Sequence, residues 1–159
     1  MNFYWNNVEI FHCHLSNNKK PMNNDCLFCN QEILKKEEVM RNNSCVFLSS
    51  KGYNPEGVLE GAGVIIPFAH KATPFDLSDG EVVDMFNLLK EVKKYLDEKY
   101  EPSGYTLGWN IGKVSGQITP FHVHLHVMPR YDDEPLAGKG VRHFLKQKSN
   151  SRIKEVRES

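Results

Sequence analysis

Three histidines at alternate positions, His122, His124 and His126, carry the most specific chemistry in this chain. They lie in the run FHVHLHVMPR from Phe121 to Arg130, with Val123, Leu125, Val127 and Met128 between and after them. Such alternation predicts a β-strand, and residues i and i+2 of a strand share a face. All three imidazoles are therefore expected on one side, with the apolar residues facing the core. Pro120 and Pro129 bracket the run, at strand ends where proline is tolerated. A single tetrahedral zinc does not explain the row. Its bonds to nitrogen are about 2.0–2.1 Å, so its ligands lie roughly 3.5 Å apart. At about 3.3 Å per strand residue, His122 and His126 start about 13 Å apart. One metal can take at most two of the three. An extended anion, such as a chain of phosphates, suits the row better. A neutral imidazole nitrogen is a nucleophile and an imidazolium a donor to phosphoryl oxygen, and both forms exist near neutral pH.

The elements that must position this strand can be read in order. Residues 1–24 read as an N-terminal extension, peripheral or poorly ordered, in which His12-Cys13-His14 is a weak metal candidate. The domain proper runs over 25–145. It opens on Cys26-Leu27-Phe28-Cys29, a C-x-x-C that reads as half of a zinc site or as a redox pair. Val39–Arg41 and Ser44–Ser49 read as strands joined at Asn42-Asn43, and Gly61–Phe68 as a third strand followed by His70. Residues 78–100 form the one long helix. Ser78 and Glu81 make a capping box and Leu77 with Val82 a staple, while Val82, Met85, Leu89, Val92 and Leu96 keep a 3.6-residue period. Tyr105–Asn110 is a fourth strand, and a loop with Gly112 and Gly116 leads into the triad. The fold class is α+β: an antiparallel five-stranded sheet with one long helix. Residues 146–159 read as a charged tail.

Composition narrows the partners. Lys+Arg and Asp+Glu are both 20 in 159 residues, so a general electrostatic footprint for a nucleic-acid polymer or a membrane is not expected. No apolar run approaches the ~20 residues of a membrane span, and the N-terminus lacks the pattern of a signal peptide. The four cysteines do not describe a secreted disulfide scaffold. A cytoplasmic location is expected.

The pattern His122-Val123-His124-Leu125-His126-Val127-Met128 resembles, without a substitution, the signature of the histidine triad (HIT) family of nucleotide hydrolases and transferases. The resemblance extends from about Cys26 to Phe144. Ile65–His70, IIPFAH, is similar to the family's strand, proline and histidine. Trp109-Asn110-Ile111-Gly112 with Gly116-Gln117 is similar to its phosphate loop, and Tyr131–Gly140 to a C-terminal element of one microbial branch that includes diadenosine polyphosphate hydrolases. Two departures stand out. Ile118, Thr119, Pro120 and Phe121 make four residues between Gln117 and His122 where three are usual, and Ser49 stands where many members place an aspartate for the ribose.

The resemblance implies that His124 attacks the α-phosphorus and forms a nucleotidyl-histidine. It implies that His126 bonds phosphate oxygens and assists the leaving group, with His122 as the third triad member. Asn110, Gly116, Gln117, Ile118 and Thr119 become candidate substrate contacts. Cys26, Cys29, His70 and His122 become ligands of a structural zinc, with no organic cofactor. The implied partners are a nucleotide substrate and a second copy in a homodimer. Lys139 and Arg142 are candidate contacts for distal phosphates. The implied activity is hydrolysis or nucleotidyl transfer at the α-phosphorus of a dinucleoside polyphosphate or nucleoside phosphoramidate. A non-catalytic nucleotide-binding or scaffolding protein on the same fold is the rival class. A uridylyl-transferring relative would have glutamine in place of His126.

Overall fold

The computed structural model describes residues 26–117 and 121–152. The expectations for residues 1–24, including His12-Cys13-His14, and for most of the tail lie outside these. So do Ile118 and Thr119.

The sheet holds five strands: β1 (Glu38–Arg41), β2 (Cys45–Ser49), β3 (Gly63–Pro67), β4 (Gly104–Gly108) and β5 (Leu125–Arg130). Their spatial order is β1-β2-β3-β5-β4, and every neighbouring pair is antiparallel. The triad strand is thus interior, between β3 and the edge strand β4. The expected α+β architecture is present, with strand ends moved by one or two residues at β1 to β4.

Helix α2 (Asp79–Tyr100) covers one face. Ser78 caps it as expected: its hydroxyl accepts from Glu81 N while the Glu81 carboxylate accepts from Ser78 N. The buried stripe is Met85, Leu88, Val92 and Leu96. Val82 is 37% exposed, a correction to the expected stripe. The helix is rotated so that Leu88 is fully buried, and Leu89 packs at the margin of the core. Glu101, in the left-handed region at φ 48, ends the helix before Pro102. Cys45, Phe47, Ile65, Leu125 and Val127 complete the main core beneath α2.

The opposite face carries a smaller cluster. Helix α1 (Gln31–Glu37), which periodicity does not suggest in so short a segment, brings Leu34 against Val46, Leu48 and Ile66, with Phe28 and Val64 alongside. Its start is nevertheless signalled: the Asn30 side chain accepts from Glu32 N and Ile33 N, the usual role of an N-cap asparagine.

Candidate functional site

β5 is shorter than the alternation implies. Leu125 pairs with Ile65 and the regular ladder starts there, so His122 and His124 precede it. The physical reason lies in β3. Pro67 has no N–H to donate, and its carbonyl accepts instead from the His122 ring. Val123 N turns to the Lys71 carbonyl, at 2.7 Å. Phe121 has φ 33, a left-handed backbone uncommon for a bulky residue. It bends the chain just ahead of His122, where the loop has its additional residue.

The alternation itself holds. Val123, Leu125 and Val127 are buried, while His124 and His126 are half-buried. Cross-strand partners share a face. His126 pairs with Val64, which packs with the smaller cluster, so the triad lies on the face opposite α2. Gly108 pairs with His126 from the other side, and a Cβ there would meet open space. Among the described residues nothing covers the sheet at Gly108, beside that imidazole.

His122 departs from the other two because it is wholly buried, in a cluster with sulfur. The ligand atoms of Cys26, Cys29, His70 and His122 all lie within 4.8 Å of one another. His122 Nδ1 is 3.4 Å from Cys26 Sγ and 3.6 Å from Cys29 Sγ, and His70 Nδ1 is 3.2 Å from Cys29 Sγ. The edges of a tetrahedron with metal bonds of roughly 2.1–2.3 Å are about 3.6 Å. The Pro67 carbonyl, 2.9 Å from His122 Nε2, accepts the proton of that nitrogen. Nδ1 then turns a bare lone pair toward the sulfurs, the outer-shell device by which metal-binding histidines are fixed. Burial, then the charge of Cys26, pushes the Cys29 thiol up to about 11, and burial first of all pushes His122 down to about 4. Paired thiolates are disfavoured here without a cation, and a divalent ion among them reverses that balance. The four residues fit a metal ion.

His124 donates from Nδ1 to the His122 carbonyl at 3.0 Å. Nε2 is then the basic nitrogen, and it makes no hydrogen bond among the described residues. Burial lowers the His124 pKa, partly offset by that carbonyl, and burial followed by the His124 charge pushes His126 down to about 4. Both rings are neutral at pH 7. Their centroids are 4.7 Å apart at 73°. His126 Nε2 is buried and unpartnered among the described residues, a costly state for a polar atom that a phosphate oxygen would relieve.

The glycine loop is more self-contained than its residue types imply. Gly112 and Gly116 have φ 78 and 87 around a short turn over Lys113–Ser115. The N–H groups of Ser115, Gly116 and Gln117 bond carbonyls within the loop. Gly112 N donates to Gln117 Oε1 at 2.8 Å, and Gln117 Nε2 donates to the Ala72 carbonyl at 3.1 Å. Gln117 is buried and staples the loop to the segment after β3, with one amide hydrogen left to offer. Asn110 is exposed, its amide 3.8 Å from where a Cβ on Gly116 would stand. Ser49 Oγ accepts from Lys51 N. Lys139 and Arg142 are exposed in a segment held by Arg130. The Arg130 guanidinium bonds Glu134, Thr106 Oγ1 and the Leu136 and Lys139 carbonyls, at the far end of β5 from the triad.

Phe28 is the site residue that motif reading passed over. Its ring contacts His122 at 5.9 Å and His124 at 5.1 Å. The available signal was its place inside the C-x-x-C.

Comparison with known proteins agrees with this geometry. The family model for the HIT domain matches residues 39–133. The chain belongs to the HIT family. A HIT-like protein of Mycoplasma genitalium, uncharacterized, is 29% identical over 141 residues, covering 86% of this HIT protein and 92% of its own length. Two Schizosaccharomyces pombe proteins are each 32% identical over shorter stretches. The asymmetrical bis(5'-nucleosyl)-tetraphosphatase aligns over 52% of this chain and 45% of its own, and an adenosine 5'-monophosphoramidase over 51% and 57%. Among solved structures, a zinc-bound histidine triad family protein from Mycobacterium smegmatis superposes with a TM-score of 0.59 at 21% identity, over 74% of this chain and 83% of its own.

Proposed function

We propose that this HIT protein cleaves dinucleoside polyphosphates or nucleoside phosphoramidates at the α-phosphorus through a nucleotidyl-histidine on His124. The observation that carries this reading is the state of His124. Its Nδ1–H is committed to the His122 carbonyl, its ring is neutral, and Nε2 makes no hydrogen bond among the described residues. An imidazole needs those conditions to attack phosphorus. Nε2 forms the N–P bond as the bond from phosphorus to the leaving group breaks, and the departing group takes a proton delivered through His126 or solvent. Water then hydrolyses the adduct, releasing nucleoside monophosphate and restoring the neutral ring. His126 Nε2, buried and unpartnered, bonds a phosphate oxygen. Asn110, Gly116, Gln117, Ile118 and Thr119 line the substrate, Gln117 chiefly by holding the loop in shape. The activities named for the two yeast relatives support the substrate class.

Zinc is the metal we assign to Cys26, Cys29, His70 and His122. Its part is structural: it ties the two-cysteine turn to the end of β3 and to the first triad histidine. No organic cofactor is needed. A homodimer formed by the β4 edge and α2 is supported by the exposed Val83, Phe86 and Leu107. No described helix is long and apolar enough to cross a membrane, and a zinc site built on the Cys26 and Cys29 thiolates suits a reducing compartment such as the cytoplasm.

The test is turnover of adenosine 5'-phosphoramidate and diadenosine tetraphosphate by purified protein. Release of AMP from either, abolished in His124→Ala, is expected. Tight AMP binding without turnover of either would favour the non-catalytic class, toward which the internally bonded glycine loop points.

A further inference from the structure

Phe28 stands between the two cysteines, in the turn Leu27–Cys29, where the metal-binding turn meets the triad. Its backbone is held by the bond from Cys29 N to the Cys26 carbonyl, and its ring packs against the cluster of Leu34, Val46, Leu48 and Ile66. The ring meets His124 at 5.1 Å and 62°, and His122 at 5.9 Å and 84°. Both are edge contacts, a favoured arrangement for aromatic pairs.

Beyond its covalent link at Cγ, the His124 imidazole has one hydrogen bond among the described residues, from Nδ1 to the His122 carbonyl. Small changes of its side-chain torsions would still move Nε2, the atom farthest from the backbone. Two neighbouring rings pack against it and limit such motion: Phe28, which also touches His122, and His126, which lies further along β5. Phe28 offers no acceptor that would compete for Nδ1–H and no donor that would occupy Nε2. Its ring thus restrains the nucleophile and leaves it free.

We propose that Phe28 is a positioning residue, holding the His124 imidazole in line for attack and coupling it to the Cys26–Cys29 turn. The proposal rests on His124 being the nucleophile. It implies that disturbance of the cysteine turn reaches the reacting nitrogen through a carbon framework rather than through a change in charge.

The experiment compares full-length, metal-loaded Phe28→Ala, Phe28→Leu and Phe28→Tyr with wild type. A displacement of about 1 Å at a reacting group costs about 10²-fold in rate. Phe28→Ala should lose about that much in kcat, with AMP affinity within about threefold and metal content unchanged. Phe28→Tyr, which keeps the ring edge, should return to within about threefold of wild type, and Phe28→Leu should lie between. Independently of turnover, the His124 Nδ1–H proton, followed by nitrogen-edited NMR, should exchange with water faster in Phe28→Ala. Wild-type kcat with unchanged proton exchange in Phe28→Ala overturns the proposal. Loss of AMP affinity in proportion to kcat also overturns it, making Phe28 a substrate contact. Where Phe28→Ala does not fold, Phe28→Leu carries the same test: wild-type kcat and exchange in it overturn the proposal. His124→Ala runs beside these. Turnover retained there overturns the nucleophile itself, whereas an inactive His124→Ala beside a normal Phe28→Ala overturns the positioning role alone.

Discussion

The two faces of the sheet are held by different physics. Between α2 and the sheet, nine buried residues among those described form the main core, four from α2 and five from the strands, all aliphatic, aromatic or thioether except the Cys45 thiol. On the other face, among the described residues, Leu34, Val46, Leu48 and Ile66 form a smaller buried apolar cluster, and a set of two cysteines and two histidines stands beside it. The first face is a store of hydrophobic stabilisation. The second spends less of its area on burial and more on fixing nitrogen and sulfur atoms in place. Damage to one should therefore be readable separately from damage to the other.

The largest separation is expected at His124. Acid–base and hydrogen-bonding roles contribute about 10²–10⁴-fold, and loss of the nucleophile proposed at His124 should exceed that. His124→Ala should lose at least about 10⁴-fold in turnover, with AMP binding within an order of magnitude of wild type. The fall belongs to kcat, as for an interaction made only along the reaction path. His126→Ala should lose less. Steady-state kinetics beside calorimetric AMP titration check both. Substantial turnover in His124→Ala would remove the functional difference between the faces.

The converse substitution is Leu96→Ala, beneath α2, at a side chain 1% exposed. Such a truncation costs about 2–5 kcal/mol in a close-packed core. Urea unfolding should show that loss, while kcat at a temperature where the protein is folded stays near wild type. A large fall in kcat without a fall in stability would mean that the faces are not separable.

Of this division, the sequence makes one half easy to read and the other half hard. The helix face is legible because its signals are periodic and local. Ser78 and Glu81 cap α2 as their spacing implies, while Val82 turns outward, Leu89 moves to the margin and Leu88 takes the buried place. Position around a helix is known no better than the phase of the pattern. On the triad face, the His-x-His-x-His run shows which residues share a side, and the family resemblance groups His122 with Cys26, Cys29 and His70, as the structure does. What neither encodes is the bond to the Pro67 carbonyl that orients the His122 ring toward the sulfurs. Gln117 is similar. Its residue type suits a phosphate contact, yet its two bonds go to Gly112 and Ala72, one of them 45 residues away in sequence. Helix α1 has seven residues, too few for a periodic signal.

A smaller effect is expected from the metal cluster. Cys29→Ser replaces a sulfur 3.2 Å from His70 Nδ1 and 3.6 Å from His122 Nδ1. Outer and inner changes at such sites typically cost 10–100-fold or more in metal affinity. Metal analysis should find about one zinc per wild-type chain and far less in Cys29→Ser after dialysis. The second face should loosen, with faster hydrogen exchange in α1 than in α2. Equal metal content in the two proteins would leave the cysteine turn without its assigned role.

The smallest effect, and the one that tests the contrast without deleting an interaction, is pH. His126 titrates near 6.5 when exposed and near 4 in the fold, chiefly because burial opposes its charge. Between those values the unfolded chain binds a proton that the folded protein refuses, so stability rises with pH across that window. Read in the other direction, stability is complete above about 6.5 and is lost as pH falls toward 4. Discounted for partial exposure, the loss is on the order of 1–2 kcal/mol for this one group, or a few degrees in Tm. His122 shifts the same way, but acid also competes with any metal there, so His126 is the cleaner probe. The core beneath α2 has a buried titratable group of its own in Cys45, which burial pushes up to about 12. It is neutral through the whole acid range and adds no slope. Thermal melts from pH 7 to 4 should therefore show a fall in Tm that is reduced in His126→Phe and unchanged in Cys45→Ala. An equal fall in wild type and His126→Phe would mean that the acid sensitivity lies elsewhere than in the buried triad.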